Sequence, residues 1–246
     1  MEERQNYLFG MHPVLEAIAD DRKIEKVLFK KGMDGPLFRE MLEKLQEKEI
    51  PFQFVPIEKL NGITRGKHQG VVAYLPQLDY IELEDMVARA FKKSETPLLL
   101  LLDGVSDVRN FGAIARTAEC AGVSGLILPA KGGAAVNADA IKTSAGALLR
   151  IPTTKTANLR VALYYLKESG FEIIAATEKA DKNIYEVDFK KPTAIIMGAE
   201  DKGISESVLA LCDEKIKIPM GGVIGSLNVS VAAAIVMFEA VRQRSF

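Results

Sequence analysis

The sequence predicts an α/β protein, with a C-terminal domain on a parallel sheet and a small N-terminal α/β domain before it. Three observations carry this. From Pro97 onward, short apolar runs alternate with helical stretches, the pattern of strands covered on both faces. Before residue 76 a shorter alternation stands apart, separated by the Pro- and acid-containing stretch "PQLDYIELEDMVARAFKKSE". A chain of 246 residues, 48% hydrophobic and 26% charged, has the length for one large domain or two modest ones and the composition of an ordinary globular protein.

Taken in order, residues 1–75 read as a helix over Val14–Ala19 after the turn "GMHP", a strand "KVLFK" and an amphipathic helix "PLFREMLEKLQEKE". Strands "PFQFV" and "QGVVAYL" follow. Residues 76–95 read as a connector with a short amphipathic helix. In the domain spanning 96–246, the strands are "LLLLLDG", "GLILPA", "FEIIAAT", "TAIIMGAE" and "EKIKIPM". Helices are expected near 110–122, 137–149, 158–169 and 205–212, with a last helix from about Ser226 or Asn228. That last helix holds an unbroken apolar run from Val231 to Phe238, which predicts burial on every side.

The charge balance, 32 Lys and Arg against 33 Asp and Glu, excludes a partner held by bulk phosphate attraction and leaves a local basic groove open. With Cys120, Cys212, His12 and His68 the only cysteines and histidines, neither a disulfide framework nor a metal centre is expected. No signal-peptide pattern opens the chain and no apolar run reaches membrane length, so a cytoplasmic protein without a membrane partner is expected.

Unusual residues collect at the ends of three strands, where parallel sheets bind ligands. After "LLLLLDG", Asn110 is expected to cap the helix, while Arg116 leans back toward that helix start. The other reading of Arg116 is a surface pair with Glu119. After "TAIIMG", Glu200 sits between Gly198 and Gly203, either receiving a ligand's donors or belonging to an ordinary strand-to-helix loop capped by Ser205. After "EKIKIPM", Gly221, Gly222 and Gly225 permit conformations closed to other residues, and Ser226 and Asn228 stand at the helix entrance. A plain helix cap needs one such polar residue, so the loop points to a ligand. In the first domain, "TRGKHQG" places Arg65, Lys67 and His68 beside glycines. It is either a solvated basic loop or a backbone grip on nucleic acid. No G-x-x-x-x-G-K-[ST], G-x-G-x-x-G or G-x-S-x-G motif is present, which removes P-loop, ordinary dinucleotide and serine-hydrolase sites.

Together the three stretches "DGVSDVRNFGAIARTAECAGV", "AIIMGAEDKGIS" and "IPMGGVIGSLNVSVAAAIVMFEAVRQR" resemble the motifs of the SpoU/TrmH family of RNA ribose 2′-O-methyltransferases, over residues 98–246. With "LFGMHPVLEAI" and "HQGVVA", the N-terminal segment further resembles the RlmB subgroup, whose members methylate a guanosine of large-subunit rRNA. The resemblance implies a trefoil-knotted domain, a homodimer, an RNA partner and S-adenosylmethionine among the knot loops. The backbone near Gly198, Ile218, Met220 and Leu227 would hold it. It carries catalytic roles to Asn110 and Arg116 (N-x-G-x-x-x-R), Glu200 (M-G-x-E), and Ser226 and Asn228 (S-L-N-V-S). The family's Asp-Pro is here Asp107-Val108, and Arg109 beside Asn110 offers an added phosphate contact. Because a guanidinium stays protonated, Arg116 is expected to clamp a phosphate and steady the forming alkoxide rather than to act as base. Rival readings are 2′-O-methylation of tRNA or of another rRNA nucleotide, a non-catalytic RNA-binding homologue, and a small-molecule binding protein.

Overall fold

The computed structural model describes residues 7–20, 22–75, 78–223 and 225–245, which fall in two units divided between Gln77 and Leu78. The first residues of the chain and the first two of the expected connector lie outside the described residues.

In the first unit, a four-stranded sheet has the order β1 (Tyr7–Phe9), β4 (Val71–Tyr74), β2 (Lys26–Lys30), β3 (Phe52–Val55). Only β2 and β3 run parallel. The strand "KVLFK" is apolar at three consecutive positions because both its faces are covered. Val27 and Phe29 pack with Val14 and Ile18 of α1 (Met11–Ala19) and with Met41 and Leu45 of α2 (Pro36–Glu47). Leu28 packs on the other face with Leu60 of α3 (Ile57–Ile63). The sequence reading missed β1 and α3, three and seven residues long, which are too short to display a period.

The second unit is a seven-stranded sheet whose paired strands are all parallel. Its order is β7 (Thr153–Thr156), β6 (Gly125–Pro129), β5 (Leu98–Asp103), β10 (Thr193–Gly198), β8 (Glu172–Ala176), β11 (Glu214–Lys217), β9 (Lys182–Asn183). All five expected strands are present. The two unforeseen ones are the edges, where "TTKT" and a two-residue strand carry no apolar run. The helices α5 (Val108–Cys120), α6 (Ala138–Thr143), α7 (Leu159–Glu168), α8 (Glu206–Leu209) and α9 (Val229–Ser245) occupy the expected segments. α6 and α8 are shorter than expected. The stretch read as a connector carries α4 (Leu83–Lys93), whose Met86 is fully buried in one core with Leu99, Leu101 and Ile127.

The alternation along β5 shows why this strand is a leucine run. Leu99 and Leu101 face the α4 core, while Leu98, Leu100 and Leu102 face Phe111, Ile114, Val236 and Met237. β10 enters the sheet between β5 and β8, bringing its last residue, Gly198, level with Asp103. That juxtaposition sets the loops after β5 and β10 side by side at the carboxyl edge of the sheet.

The last helix corrects the sequence reading. It is not buried on all sides in this chain: Val231 and Phe238 are 47% and 48% exposed, while Ala233, Val236, Met237 and Ala240 are buried. Within the described residues no helix is long and apolar enough to cross a membrane.

Candidate active site

Three loops at the carboxyl edge meet at one carboxylate. The loop after β10 is a tight hairpin: Ala199 and Gly203 exchange both backbone hydrogen bonds, at 3.0 and 2.8 Å, and Glu200 stands at its tip. Gly198 is required by packing. A Cβ there would lie 2.2 Å from the Gly203 carbonyl carbon and 2.3 Å from the Ile204 nitrogen. Gly203 itself has φ +67, a left-handed conformation that glycine adopts without strain. From β5, Asp103 anchors this hairpin by accepting the Ser205 amide at 2.8 Å. The sequence reading did not single out Asp103. Its signal was the one polar residue closing a leucine strand.

Asn110 does not cap α5, as the sequence suggested. Asp107 is the cap, accepting the Asn110 amide at 2.8 Å, so Asn110 lies inside the first turn with its side chain free for longer-range bonds. It donates through Nδ2 to Glu200 Oε1 at 2.5 Å. Asn228 Nδ2 donates to the same oxygen at 3.0 Å and to Asn110 Oδ1 at 3.1 Å, closing a ring of three side chains. The Asn228 amide is oriented from behind, because its Oδ1 accepts from the Ser230 amide at 2.9 Å and hydroxyl at 2.6 Å. Asn228 thus precedes α9 as its cap. The other Glu200 oxygen bonds no described residue.

The ring stands where two cavities meet. The larger, about 310 Å³, is lined by Gly198, Ile218, Met220, Ser226, Leu227 and Asn228 among others. Its deep walls are the buried Met197, Ile204, Ile216 and Val236. The smaller, about 190 Å³, lies between the loop after β5 and the hairpin, lined by Ser106, Asp107, Asn110 and Asp201. Ala199, Glu200 and Val229 belong to both.

All four residues expected to hold a cofactor, together with Ser226, Asn228 and Glu200, line the larger cavity. Gly221 and Gly222 do not, and at these two the expected special conformations are not found: neither has a positive φ, and a Cβ at either would meet nothing within 4 Å. Arg116 lines neither cavity; it is exposed on α5 and makes no ion pair with Glu119 or any other described residue. Arg109 is exposed on the same helix, seven residues earlier, so the two positions share one stripe about 10 Å apart along the axis.

In the first unit, Arg65 and Lys67 are exposed, but His68 is a structural residue. Its Nδ1 accepts the Gly70 amide at 3.0 Å, which leaves Nε2 to donate to Asn61 Oδ1 at 2.9 Å. Gly66 is held under Phe9, where a Cβ would lie 2.4 Å from the ring, and Gly70 has φ +85. Packing and turning account for these two glycines. Nearby, Gln69 Oε1 accepts the Met11 amide at 3.0 Å, tying "HQG" to the start of α1.

Two family comparisons divide the chain as the fold does. Residues 97–238 match the family described as "SpoU rRNA Methylase family", and residues 7–81 match "RNA 2′-O ribose methyltransferase substrate binding". The Bacillus subtilis protein YacO, provisionally named a TrmH family tRNA/rRNA methyltransferase, is 34% identical, the match covering 100% of this chain and 98% of that one. The crystal structure of an AdoMet-bound rRNA methyltransferase from Sinorhizobium meliloti superposes with a TM-score of 0.66 at 26% identity, covering 98% of this chain and 88% of that one. A TrmH/SpoU tRNA modifying enzyme of A. aeolicus gives a TM-score of 0.57 at 36% identity, covering 66% of this chain and 84% of that one.

Proposed function

This chain belongs to the SpoU rRNA methylase family and is an RNA methyltransferase, and we propose that it methylates the ribose 2′-hydroxyl of a guanosine in large-subunit rRNA, in the manner of the RlmB subgroup. The methyl donor in this reading is S-adenosylmethionine. The observation that carries it is the Asn110–Glu200–Asn228 ring on the wall shared by two cavities, since methyl transfer needs donor and acceptor on opposite sides of one carbon.

The residues present fit the donor. The larger cavity offers apolar walls deep enough for a purine, and the backbone of Met220, Gly225 and Leu227 at its mouth bonds no described residue, leaving those groups for a ligand. When bound, the donor supplies a methyl on a sulfonium, already an activated leaving group. Positioning is therefore the larger task of the protein, worth roughly 7–11 kcal/mol when alignment is complete. Asn110 and Asn228 hold the Glu200 carboxylate in one orientation, and its free oxygen accepts the hydrogen bond of the incoming 2′-hydroxyl and takes its proton as the oxygen–methyl bond forms and the sulfur–methyl bond breaks. Ser226, at the mouth, adds a hydroxyl beside the donor. Arg116 and Arg109, on one exposed stripe, take phosphates of the acceptor strand, and Arg116 steadies the alkoxide once RNA brings it near.

What favours rRNA over tRNA is coverage. The Sinorhizobium rRNA methyltransferase matches along nearly all of this chain, whereas the A. aeolicus tRNA modifying enzyme matches about two thirds. In this reading residues 7–75 bind the substrate RNA, with Arg65 and Lys67 on phosphates and residues 96–246 as the knotted methyltransferase domain. A homodimer is part of the same proposal. Val231 and Phe238 recur at i and i+7 on the outward face of α9, exposed apolar side chains that a second copy would cover. Sedimentation as a monomer at micromolar concentration would contradict that. The substrate is tested by offering tritiated S-adenosylmethionine with unmodified large-subunit rRNA or with tRNA. Label at a guanosine 2′-oxygen of the rRNA supports the reading, and label on tRNA alone overturns it.

A further inference from the structure

Among the described residues, three charged side chains line the larger cavity: Glu200, Glu178 and Lys217. Glu200 is engaged by the two asparagines. Glu178 and Lys217 have no ion pair or side-chain hydrogen bond with any described residue. This is not for lack of partners nearby. At the start of β11, Glu214 is paired with Lys182 at 3.0 Å, and just before it Asp213 is paired with Lys167 at 2.7 Å. Glu178 is exposed and Lys217 half-buried, and two opposite charges open toward one cavity are available to a ligand carrying both signs.

Their place is set by the sheet. Ile216 is in register with Ala176, so Lys217 and Thr177 leave adjacent parallel strands together, and the Thr177 amide donates to Ile216 O at 2.8 Å. Thr177 also turns the chain after β8, accepting the Ala180 amide on its carbonyl at 3.2 Å and the Lys179 amide on Oγ1 at 3.4 Å. Glu178 is thereby held at the start of a turn beside the cavity mouth. Lys217, on β11, lies two strands from β10 and its Glu200 hairpin, about 10 Å away at the usual strand spacing.

Resting on the methyl-donor reading above, we infer that Glu178 and Lys217 are the binding pair for the amino-acid end of S-adenosylmethionine, Glu178 receiving the α-ammonium and Lys217 the α-carboxylate. The charges then match one for one. The donor carries a sulfonium, an ammonium and a carboxylate; the cavity presents Glu200, Glu178 and Lys217. The alternative assignment sends the purine to the charged wall and the zwitterion to the pocket of Met197, Ile204, Ile216 and Val236. There a charge would be stripped of water with no partner, a cost of several kcal/mol.

Calorimetry on the full-length protein separates the outcomes without relying on activity. The ligands are S-adenosylhomocysteine, which has the amino-acid end, and 5′-methylthioadenosine, which lacks it. Lys217→Met and Glu178→Gln are each expected to weaken S-adenosylhomocysteine about tenfold and to leave methylthioadenosine within twofold of the parent. Lys217→Arg should restore most of the loss. Unchanged S-adenosylhomocysteine affinity in both variants, or a parallel loss for methylthioadenosine, overturns the assignment while the methyl-donor reading stands. A parent protein that binds neither ligand, nor S-adenosylmethionine, overturns the donor reading and this inference with it.

Discussion

Asn110 and Glu200, ninety positions apart in the chain, are joined by a 2.5 Å hydrogen bond from amide Nδ2 to carboxylate Oε1. The bond closes because β5 and β10 are neighbours in the sheet and end at the same level. Replacing Asn110 with aspartate keeps the shape and removes the donor, setting two carboxylates against each other. Methyl transfer is expected to fall about 10²–10³-fold, the loss typical when one preorganised donor is deleted. S-adenosylhomocysteine affinity should change far less. Single-turnover rates and calorimetry on the same preparation check both.

The Arg116 side chain bonds no described residue and lines neither cavity, so the role proposed for it comes with the RNA. Arg116→Lys keeps a charge and loses the planar fork that grips a phosphate at two points. Turnover is expected to drop about 10²-fold with cofactor affinity and thermal stability unchanged. A lysine variant with near-normal rate excludes the geometric role.

The hairpin that carries Glu200 is closed over Gly198, and a methyl group there must displace backbone atoms. Gly198→Ala is expected to cost about 1–3 kcal/mol, as overpacking does, and to lower activity by moving Glu200. Gly221→Ala, with open space around its Cα, should stay within about 0.5 kcal/mol. Urea unfolding of the two variants side by side measures the difference.

The contrast between these glycines shows what was legible in the sequence. Four of the five interior strands, β5, β6, β8 and β10, could be read because both faces are buried and the apolar run is nearly unbroken, and the site clusters could be read because polar residues interrupt such strands at their ends. The edge strand "TTKT" could not be read. Its threonines are buried by hydroxyl bonds to backbone carbonyls, Thr153 to Ile151 and Thr154 to Ile81, which leave no hydrophobic signal. His68 misled for a related reason: a basic loop in sequence hides a histidine whose two nitrogens are both satisfied inside the fold. The apolar run of α9 predicted burial on every side, but this chain covers only one of its faces.

A buried carboxylate near the end of α9 gives the protein an acid-side dependence. Glu239 accepts from Arg242 Nε at 2.8 Å and Nη2 at 2.7 Å and from Gln243 Nε2 at 2.8 Å. The Arg242 hydrogen bond, helped by Gln243, holds its carboxyl below the usual range. A lowered native pKa means stability that is present above the unfolded value near 4.3 and lost as pH falls toward the native one. Glu239→Gln should therefore lower stability at neutral pH by about 1–2 kcal/mol, discounted because Arg242 is largely exposed, and flatten the stability profile below about pH 4.5. Melting temperatures between pH 3 and 7 report both effects.

The most direct trial is a crystal structure of the full-length protein grown with S-adenosylhomocysteine. The expected result is the purine against Met197 and Val236, with the sulfur turned toward the Asn110–Glu200–Asn228 ring and the smaller cavity left open beside it. A ligand bound elsewhere, or a larger cavity that stays closed to it at saturating concentration, would contradict the donor–acceptor arrangement proposed for this site.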